Sequence, residues 1–235
     1  MNKSDLMQLR NKFLFASDWH IHTNYVHGKH SVLECANKAK ENNLKLIVII
    51  EHVRRSLTYD FSDLLEEIEV AKEESQKLKI LSGGEAKVIS IDGDLDISPE
   101  VAERVDLIYG AFHSWFKQTM PTKEEYIEAL LNVLKRKEID IWAHPLLLPK
   151  KYGIYFEDDE ILKIIQIVKK YKIFVEINLC YKLPPINFLN IVLKESIPFV
   201  IGSDAHGNYE IWDKSKPDFI NSEIWQIIRK QTNDS

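Results

Sequence analysis

Seven short apolar runs of this chain each end in a cluster of His, Asp or Glu, and this arrangement constrains the fold most. The clusters hold six of the eight histidines and lie at Asp18–His22, Glu51–His52, Gly84–Lys87, His113, Ala143–Pro145, Glu176–Asn178 and Ser203–His206. Because β/α barrels carry their chemistry at the carboxyl ends of their strands, the pattern predicts polar side chains gathered on one rim of a barrel.

Length and composition agree with one domain spanning residues 1–235. The chain is 45% hydrophobic and 29% charged, which is ordinary for a soluble globular protein. Its net charge of −5 argues against broad binding of nucleic acid. The charged first residues lack the apolar region of a signal peptide, and no apolar run approaches the roughly 18–20 residues that span a bilayer. We therefore predict a cytoplasmic protein with no membrane partner.

Strands and helices are expected to alternate along the chain. The predicted strands are Phe13–Ala16, Leu44–Ile50, Lys79–Leu81, Leu107–Ala111, Asp140–Ala143, Ile173–Ile177 and Phe199–Ile201. Predicted helices begin at the capping boxes of Ser31 and Thr122, and others cover Phe61–Lys77, Asp159–Tyr171, Ile186–Lys194 and Ser222–Lys230. Repeated strand–helix alternation predicts a parallel sheet with helices outside, and closure of that sheet produces a barrel.

The polar clusters have the spacing and chemistry of metal ligands. Residues two apart on a strand share a face, so His20 and His22 point together, as do Asp204 and His206. A His and carboxylate set without cysteine favours a hydrolytic site with Zn, Mn or Fe. The candidate donors are enough for three ions, and they are His20, His22, His27, His52, Glu85, His113, His144, Asp204 and His206.

The order HxH, EH, GxE, H, AHP, ExN and GSDAH resembles the PHP family, named for polymerase and histidinol phosphatase, from about Phe15 to Gly207. The resemblance implies an α/β fold, a distorted (β/α)7 TIM-like barrel, with a trinuclear metal centre and phosphoesterase activity. It implies a first ion on His20, His22, Glu85 and Asp204. Glu85 would bridge to a second ion on His113 and His144, and His27, His52 and His206 would hold the third.

Two positions differ from many members of that family. Histidine stands at His27, where many relatives carry Asp, and Glu51 precedes His52, where relatives often carry Asp. Two roles for Glu51 remain open, because it either orients His52 from behind or faces a helix.

The main functional hypothesis is hydrolysis of a small phosphomonoester, with histidinol phosphate and nucleotides as candidates. Metal-activated water would attack phosphorus, and catalysis is expected to depend on Glu85, Asp204 and His206. The cations Arg54, Arg55 and Lys87 follow ligands and are candidates to bind the phosphate. Trp115, Phe116 and Tyr181 are candidates to line the pocket mouth.

Two other functions stay open at this point. One is a phosphodiesterase or 3′–5′ exonuclease on short oligonucleotides, which needs a basic groove that an acidic chain does not favour. The other is a non-catalytic, metal-bound regulatory module, which retention of all nine donors disfavours. The oligomeric state cannot be inferred from the sequence.

Overall fold

The computed structural model describes residues 1–213 and 223–232 and contains seven parallel strands with helices between them. The strands are β1 Ser17–Ile21, β2 Leu46–Val53, β3 Lys79–Lys87, β4 Leu107–Ala111, β5 Ile141–Trp142, β6 Phe174–Asn178 and β7 Phe199–Gly202. The helices are α1 Lys3–Phe13, α2 Val32–Glu41, α3 Phe61–Glu74, α4 Pro99–Arg104, α5 Lys123–Leu134, α6 Leu147–Tyr152, α7 Asp158–Tyr171, α8 Ile186–Lys194 and α9 Glu223–Thr232, with a 3-10 turn at Asn208–Glu210.

The strands follow one another in sequence order, and the first meets the last. Ile21 forms a parallel bridge with Ala205 just after β7. The Ala205 N–H donates to the carbonyl oxygen of His20 at 3.2 Å, and the His22 N–H donates to that of Ala205 at 2.8 Å. The predicted α/β class and seven-stranded barrel are therefore confirmed.

Helix α1 closes the barrel at the amino-terminal ends of the strands. Asn2 caps this helix, and its Leu6 is 1% exposed within the apolar cluster that fills the barrel. The Lys3 ammonium donates to the carbonyl oxygen of Ile139, and the Arg10 guanidinium donates to that of Phe199. Apolar side chains therefore fill the amino-terminal end of the barrel, and the carboxyl-terminal rim is the end at which the polar strand ends lie.

The predicted strand Phe13–Ala16 is wrong, because Phe13 ends α1 and the first strand is Ser17–Ile21. Polar Asp18 and His20 lie inside that strand, where an apolar pattern cannot detect them. Strands β2 and β3 likewise extend past their predicted ends to include His52 and Glu85. These three predicted strands stopped where buried polar side chains begin, whereas the prediction of β4 as Leu107–Ala111 is confirmed.

The helices at both capping boxes are confirmed, with Ser31 and Thr122 each paired to the glutamate three residues later. The helix predicted over Ser222–Lys230 is present from Glu223, whereas Ser222 lies outside the described residues. Among the described helices, none combines the length and the apolar character that a membrane crossing requires. The single domain over residues 1–235 and the cytoplasmic location stay predictions.

Candidate metal centre

The carboxyl-terminal rim brings eight of the nine predicted ligands into one cluster, which we call the metal centre. They come from or directly follow six of the seven strands and are His20, His22, His52, Glu85, His113, His144, Asp204 and His206. The ninth, His27, is exposed on the loop after β1, with its ring centroid 5.2 Å from that of His52.

Glu85 occupies the middle of the metal centre and is 1% exposed. Its Oε1 lies 2.7 Å from His144 Nε2 and 3.2 Å from His113 Nε2, while its Oε2 lies 2.8 Å from His52 Nδ1. Burial acts to raise the pKa of Glu85, but the charge of His113 and contacts with the three histidines outweigh it and hold the pKa well below its usual range. Glu85 is therefore ionised and can face more than one cation.

Asp204, His20 and His22 form the second part of the metal centre. The Nε2 atoms of His20 and His22 are 3.1 Å apart, and Asp204 Oδ1 lies 3.7 Å and 3.5 Å from them respectively. Burial opposes ionisation of Asp204, yet the two imidazoles lower its pKa below the usual range. Burial likewise opposes protonation of His22, but the nearby carboxylates of Asp204 and Glu51 raise its pKa to about 9.

Glu176 supports the metal centre from inside the barrel and is fully buried. Its Oε1 lies 2.6 Å from His20 Nδ1, and its Oε2 accepts from the backbone N–H of His144 and from the Asn178 amide. The same amide donates to Asp204 Oδ2 at 3.0 Å. When Nδ1 of His20 carries the proton for Glu176, its Nε2 offers a lone pair to the centre.

Two further buried carboxylates hold the first strand in place. Glu51 Oε1 accepts from the backbone N–H and hydroxyl of Thr23, and its Oε2 lies 3.9 Å from His22 Nδ1. Of the two alternatives for Glu51, the structure favours the second, because Glu51 shares the face of β2 on which Ile49 and Val53 pack against the helices. From that face it reaches Thr23 and the ring of His22, and no described contact joins it to His52. Asp18 accepts from the backbone N–H groups of Ser203 and Trp212, which ties β1 to the segment after β7.

The backbone is strained where it presents two of the ligands. His144 has a φ of 28° and Asp204 a φ of 56°, both in the left-handed region that non-glycine residues seldom adopt. Such conformations persist where surrounding contacts enforce them, and they concentrate at functional sites. Here Glu176 holds the N–H of His144, and Asn178 holds the carboxylate of Asp204.

The donor set fits divalent cations. Three overlapping groups have donor atoms within 4.8 Å of one another, and they are His20, His22, Glu85; His52, Glu85, His113; and His22, His52, His206. Among the described residues, His52 Nδ1 and Glu85 Oε2 are buried without a hydrogen-bond partner despite lying 2.8 Å apart. Buried polar atoms that converge without bonding to each other are suited to share a cation. His52, which the family resemblance assigns to the third ion, also belongs to a group with Glu85 and His113.

In the part of the chain that the structure describes, the three predicted phosphate-binding cations form no hydrogen bond or ion pair with the ligands of the metal centre. The Arg54 guanidinium donates to its neighbour's carbonyl oxygen on Val53, and its Nε lies 3.6 Å from Asp96. Arg55 is exposed and lines a surface groove with Asp94. Lys87 is half-buried on β3, two residues beyond Glu85.

The sequence analysis did not assign roles to Asp18, Glu176 and Asn178, although all three contact predicted ligands. Glu176 stands two residues before Asn178, so these two share a strand face, and this spacing is the signal that identifies them as supports. The pairing of β1 is irregular between Asp18 and Ile21, so spacing does not identify Asp18, which accepts from the backbone N–H of His20. Trp115 is 6% exposed and packs against Phe116, whereas Tyr181 is 39% exposed at the mouth.

Gly202 has no side chain, and this leaves the space in which the side chains of Glu176 and His20 contact each other. A Cβ added at Gly202 would lie 2.4 Å from Glu176 Oε1 and 2.7 Å from His20 Cβ. We expect Gly202→Ala to lower the free energy of unfolding by about 1–3 kcal/mol through overpacking. Urea unfolding monitored by tryptophan fluorescence measures the change.

Gly110→Ala is the matched control for that prediction, because Gly110 also lies in a barrel strand. A Cβ there would meet only the flexible end of Ile139, at 2.6 Å. We expect a smaller loss of stability and unchanged metal content. Equal destabilisation by the two substitutions would contradict the crowding assigned to Gly202.

Comparison with known proteins identifies the family. The model of the PHP domain matches residues 18–179, which is more than half of the chain. The chain belongs to the PHP family. It is 30% identical over 209 residues to a protein of Acetivibrio thermocellus named "Probable phosphatase", and the match covers 84% of this chain and 82% of that protein.

Two further matches are a longer protein and a solved structure. The chain is 25% identical over 223 residues to the DNA polymerase/3′-5′ exonuclease PolX of Bacillus subtilis, covering 91% of this chain but 38% of that protein. The fold is also similar to the crystal structure of a candidate histidinol phosphatase from Listeria monocytogenes, with a TM-score of 0.66. The matched region covers 84% of this chain and 98% of the Listeria chain. At 22% identity this last likeness shows the shared fold.

Proposed function

We propose that this PHP-family protein is a metal-dependent phosphatase that hydrolyses a small phosphomonoester at a centre of three divalent ions. The observation that carries the proposal is the contact of one buried carboxylate, Glu85, with His52, His113 and His144. Ions held close together supply an activated water and neutralise charge on the phosphoryl oxygens, which is the usual basis of phosphoester hydrolysis. Zn, Mn and Fe are the candidates, since the ligands are imidazole nitrogens and carboxylate oxygens.

Each residue contributes a defined task in this proposal. His20, His22, Glu85 and Asp204 would hold one ion, Glu85 with His113 and His144 a second, and His52 with His206 and His27 the third. His206 Nδ1 donates to the carbonyl oxygen of Asp204 at 3.0 Å, so its Nε2 keeps a lone pair for an ion. Glu85 and Asp204 would supply the negative charge that holds the ions, and the contacts of Glu176 with His20 and His144 would keep those two ligands aligned.

A small substrate is proposed because the metal centre lies at the carboxyl-terminal rim of a barrel whose other end is closed by α1. Histidinol phosphate is one candidate, because the structural relative from Listeria monocytogenes bears that description, and nucleotides are another. A phosphodiesterase is the second candidate function, favoured by the similarity to PolX over 91% of this chain. The net charge of −5 favours the phosphomonoester.

A substrate panel with metal-reconstituted protein tests the proposal. The panel contains histidinol phosphate, nucleoside monophosphates, p-nitrophenyl phosphate, its bis-p-nitrophenyl diester and a short oligonucleotide. We expect kcat/KM to be highest for a monoester. Faster diester cleavage would make the protein a nuclease, and no cleavage by metal-replete protein would favour the regulatory module. Identically purified Glu85→Ala protein controls for contaminating phosphatases.

Arg54→Ala tests the proposed phosphate contact. Removing one charged hydrogen-bonding group costs about 1.5–3 kcal/mol, so we expect kcat/KM for monoesters to fall about tenfold to a hundredfold. Metal content should not change, because Arg54 contacts Val53 and Asp96 and no ligand. Steady-state kinetics and elemental analysis measure the two quantities.

Arg55→Ala is the matched comparison, since Arg55 is exposed and its backbone N–H, like the Arg54 guanidinium, contacts Asp96. We expect its effect on kcat/KM to be the smaller of the two. Wild-type kinetics in Arg54→Ala would assign that arginine to a solvated loop and leave Lys87 as the candidate cation.

A further inference from the structure

An exposed aromatic ring lies directly against the metal centre. Tyr181 follows β6, and its ring centroid is 5.9 Å from that of His144 with the planes nearly perpendicular, at 77°. His144 in turn contacts Glu85 at 2.7 Å. Tyr109 also packs against a ligand, His20, but it is fully buried beneath the centre. Of these two tyrosines, only Tyr181 can reach a bound substrate.

Hydrogen bonds hold the backbone of Tyr181 at both its N–H and its carbonyl oxygen. Its N–H donates to Asn178 Oδ1 at 3.0 Å, and its carbonyl oxygen accepts from the Lys150 ammonium at 3.0 Å. Asn178 also holds Asp204, and Lys150 lies on α6, which follows His144. The position of the tyrosine is thus coupled to the ligands from two neighbouring barrel loops.

At least one face of the Tyr181 ring is not covered by His144. In a perpendicular pair, the edge of one ring meets the face of the other, so the tyrosine has one or both faces left over. The residue is 39% exposed, which agrees with a face open at the pocket mouth. A flat apolar surface held beside a phosphate site is suited to the leaving group of the ester, and not to its charged phosphate.

We propose, on the basis of the function proposed above, that Tyr181 makes the enzyme prefer phosphomonoesters whose leaving group carries a planar aromatic ring. That ring packs on the free face of Tyr181 while the phosphate meets the metal centre. An aromatic pair gains more binding energy than the burial of its surface area alone provides. Because hydrogen bonds already hold the backbone of Tyr181, the residue loses little conformational freedom when a ligand binds. Tyr181 is therefore a specificity-determining residue, and the shape of the leaving group, more than its polarity, is what it distinguishes.

Benzyl phosphate and cyclohexylmethyl phosphate provide a matched test of ring planarity. In both, water adds its oxygen to phosphorus, the bond from phosphorus to the ester oxygen breaks, and a primary alcohol leaves with a proton. With metal-reconstituted wild-type protein, we expect kcat/KM to be about threefold to tenfold higher for the benzyl ester. Tyr181→Leu should bring the ratio close to one, whereas Tyr181→Phe, which keeps the ring, should preserve it.

Tyr155→Leu is the control, because Tyr155 is 82% exposed and packs against no described ring. It should retain the wild-type ratio. Equal kcat/KM for the two esters in the wild type, or an unchanged ratio in Tyr181→Leu, would overturn the proposal.

A binding measurement separates this proposal from the proposed function. Calorimetric Kd values for benzylphosphonate and cyclohexylmethylphosphonate, which are not hydrolysed, report ring preference without turnover. Should no phosphomonoester be cleaved, the phosphatase proposal fails, while tighter benzylphosphonate binding that Tyr181→Leu removes would still support the role of Tyr181. Equal phosphonate affinities would refute that role even in an active phosphatase.

Discussion

Glu85→Ala is expected to abolish phosphomonoesterase activity, and His27→Ala is expected to have a much smaller effect. Glu85 contacts three histidines within 3.2 Å, so its loss removes the charge shared by two proposed ions. Changes in residues that merely orient ligands cost about 10–100-fold, and loss of a shared ligand should exceed that range. His27 is exposed, and among the described residues its ring contact is with His52. We therefore expect His27→Ala to lower kcat/KM by less than about 10-fold, which is below the range for residues that orient ligands.

Three measurements make this comparison decisive. Circular dichroism and urea unfolding establish that both variants fold, and elemental analysis reports metal retained per chain. Glu85→Ala should lose more metal than His27→Ala. If His27→Ala proved the more damaging substitution in a folded protein, the assignment of Glu85 as the bridging ligand would be wrong.

Metal removal is expected to eliminate activity and to lower thermal stability together. The metal centre buries the carboxylates of Glu85 and Asp204 among imidazoles, and Glu85 Oε2 lies 2.8 Å from His52 Nδ1 without a hydrogen bond between them. Cations that bind the native state alone stabilise it by about 2.7 kcal/mol for one site at a free concentration 100 times the Kd. Reloading with Zn, Mn or Fe should restore activity and raise the melting temperature.

Stoichiometry tests the number of ions. Protein purified without chelator should contain more than one equivalent of metal, and reconstitution should approach three. Elemental analysis of the eluted protein, paired with activity at each loading, measures this. A stoichiometry that never exceeds one under metal-replete conditions would refute the trinuclear proposal, and full activity in metal-free protein would refute metal dependence itself.

The barrel and most of its candidate ligands could be predicted from the order of residues alone. Strand–helix alternation implies a parallel barrel, and the barrel sends every strand end to one rim, so His52, Glu85 and His144 were placed together without any distance information. The i, i+2 spacing of His20 and His22 also predicted their meeting correctly. These inferences succeed because they depend on strand direction and side-chain alternation, which are local properties of the chain.

The ends of β1, β2 and β3 could not be placed from apolar patterning, because these strands contain residues whose polarity is tolerated only by contacts made across the barrel, whereas β4 ends at Ala111 as predicted. Asp18 is acceptable inside β1 since Ser203 and Trp212 donate to it from 185 and 194 residues away. The direction of Glu51 toward His22, and the clearance that Gly202 leaves for Glu176, depend in the same way on closure of the sheet. The sequence alone therefore determined which side chains reach the rim, whereas the closed tertiary structure decided which of them touch, because a buried polar group is stable only beside the partner that closure brings to it.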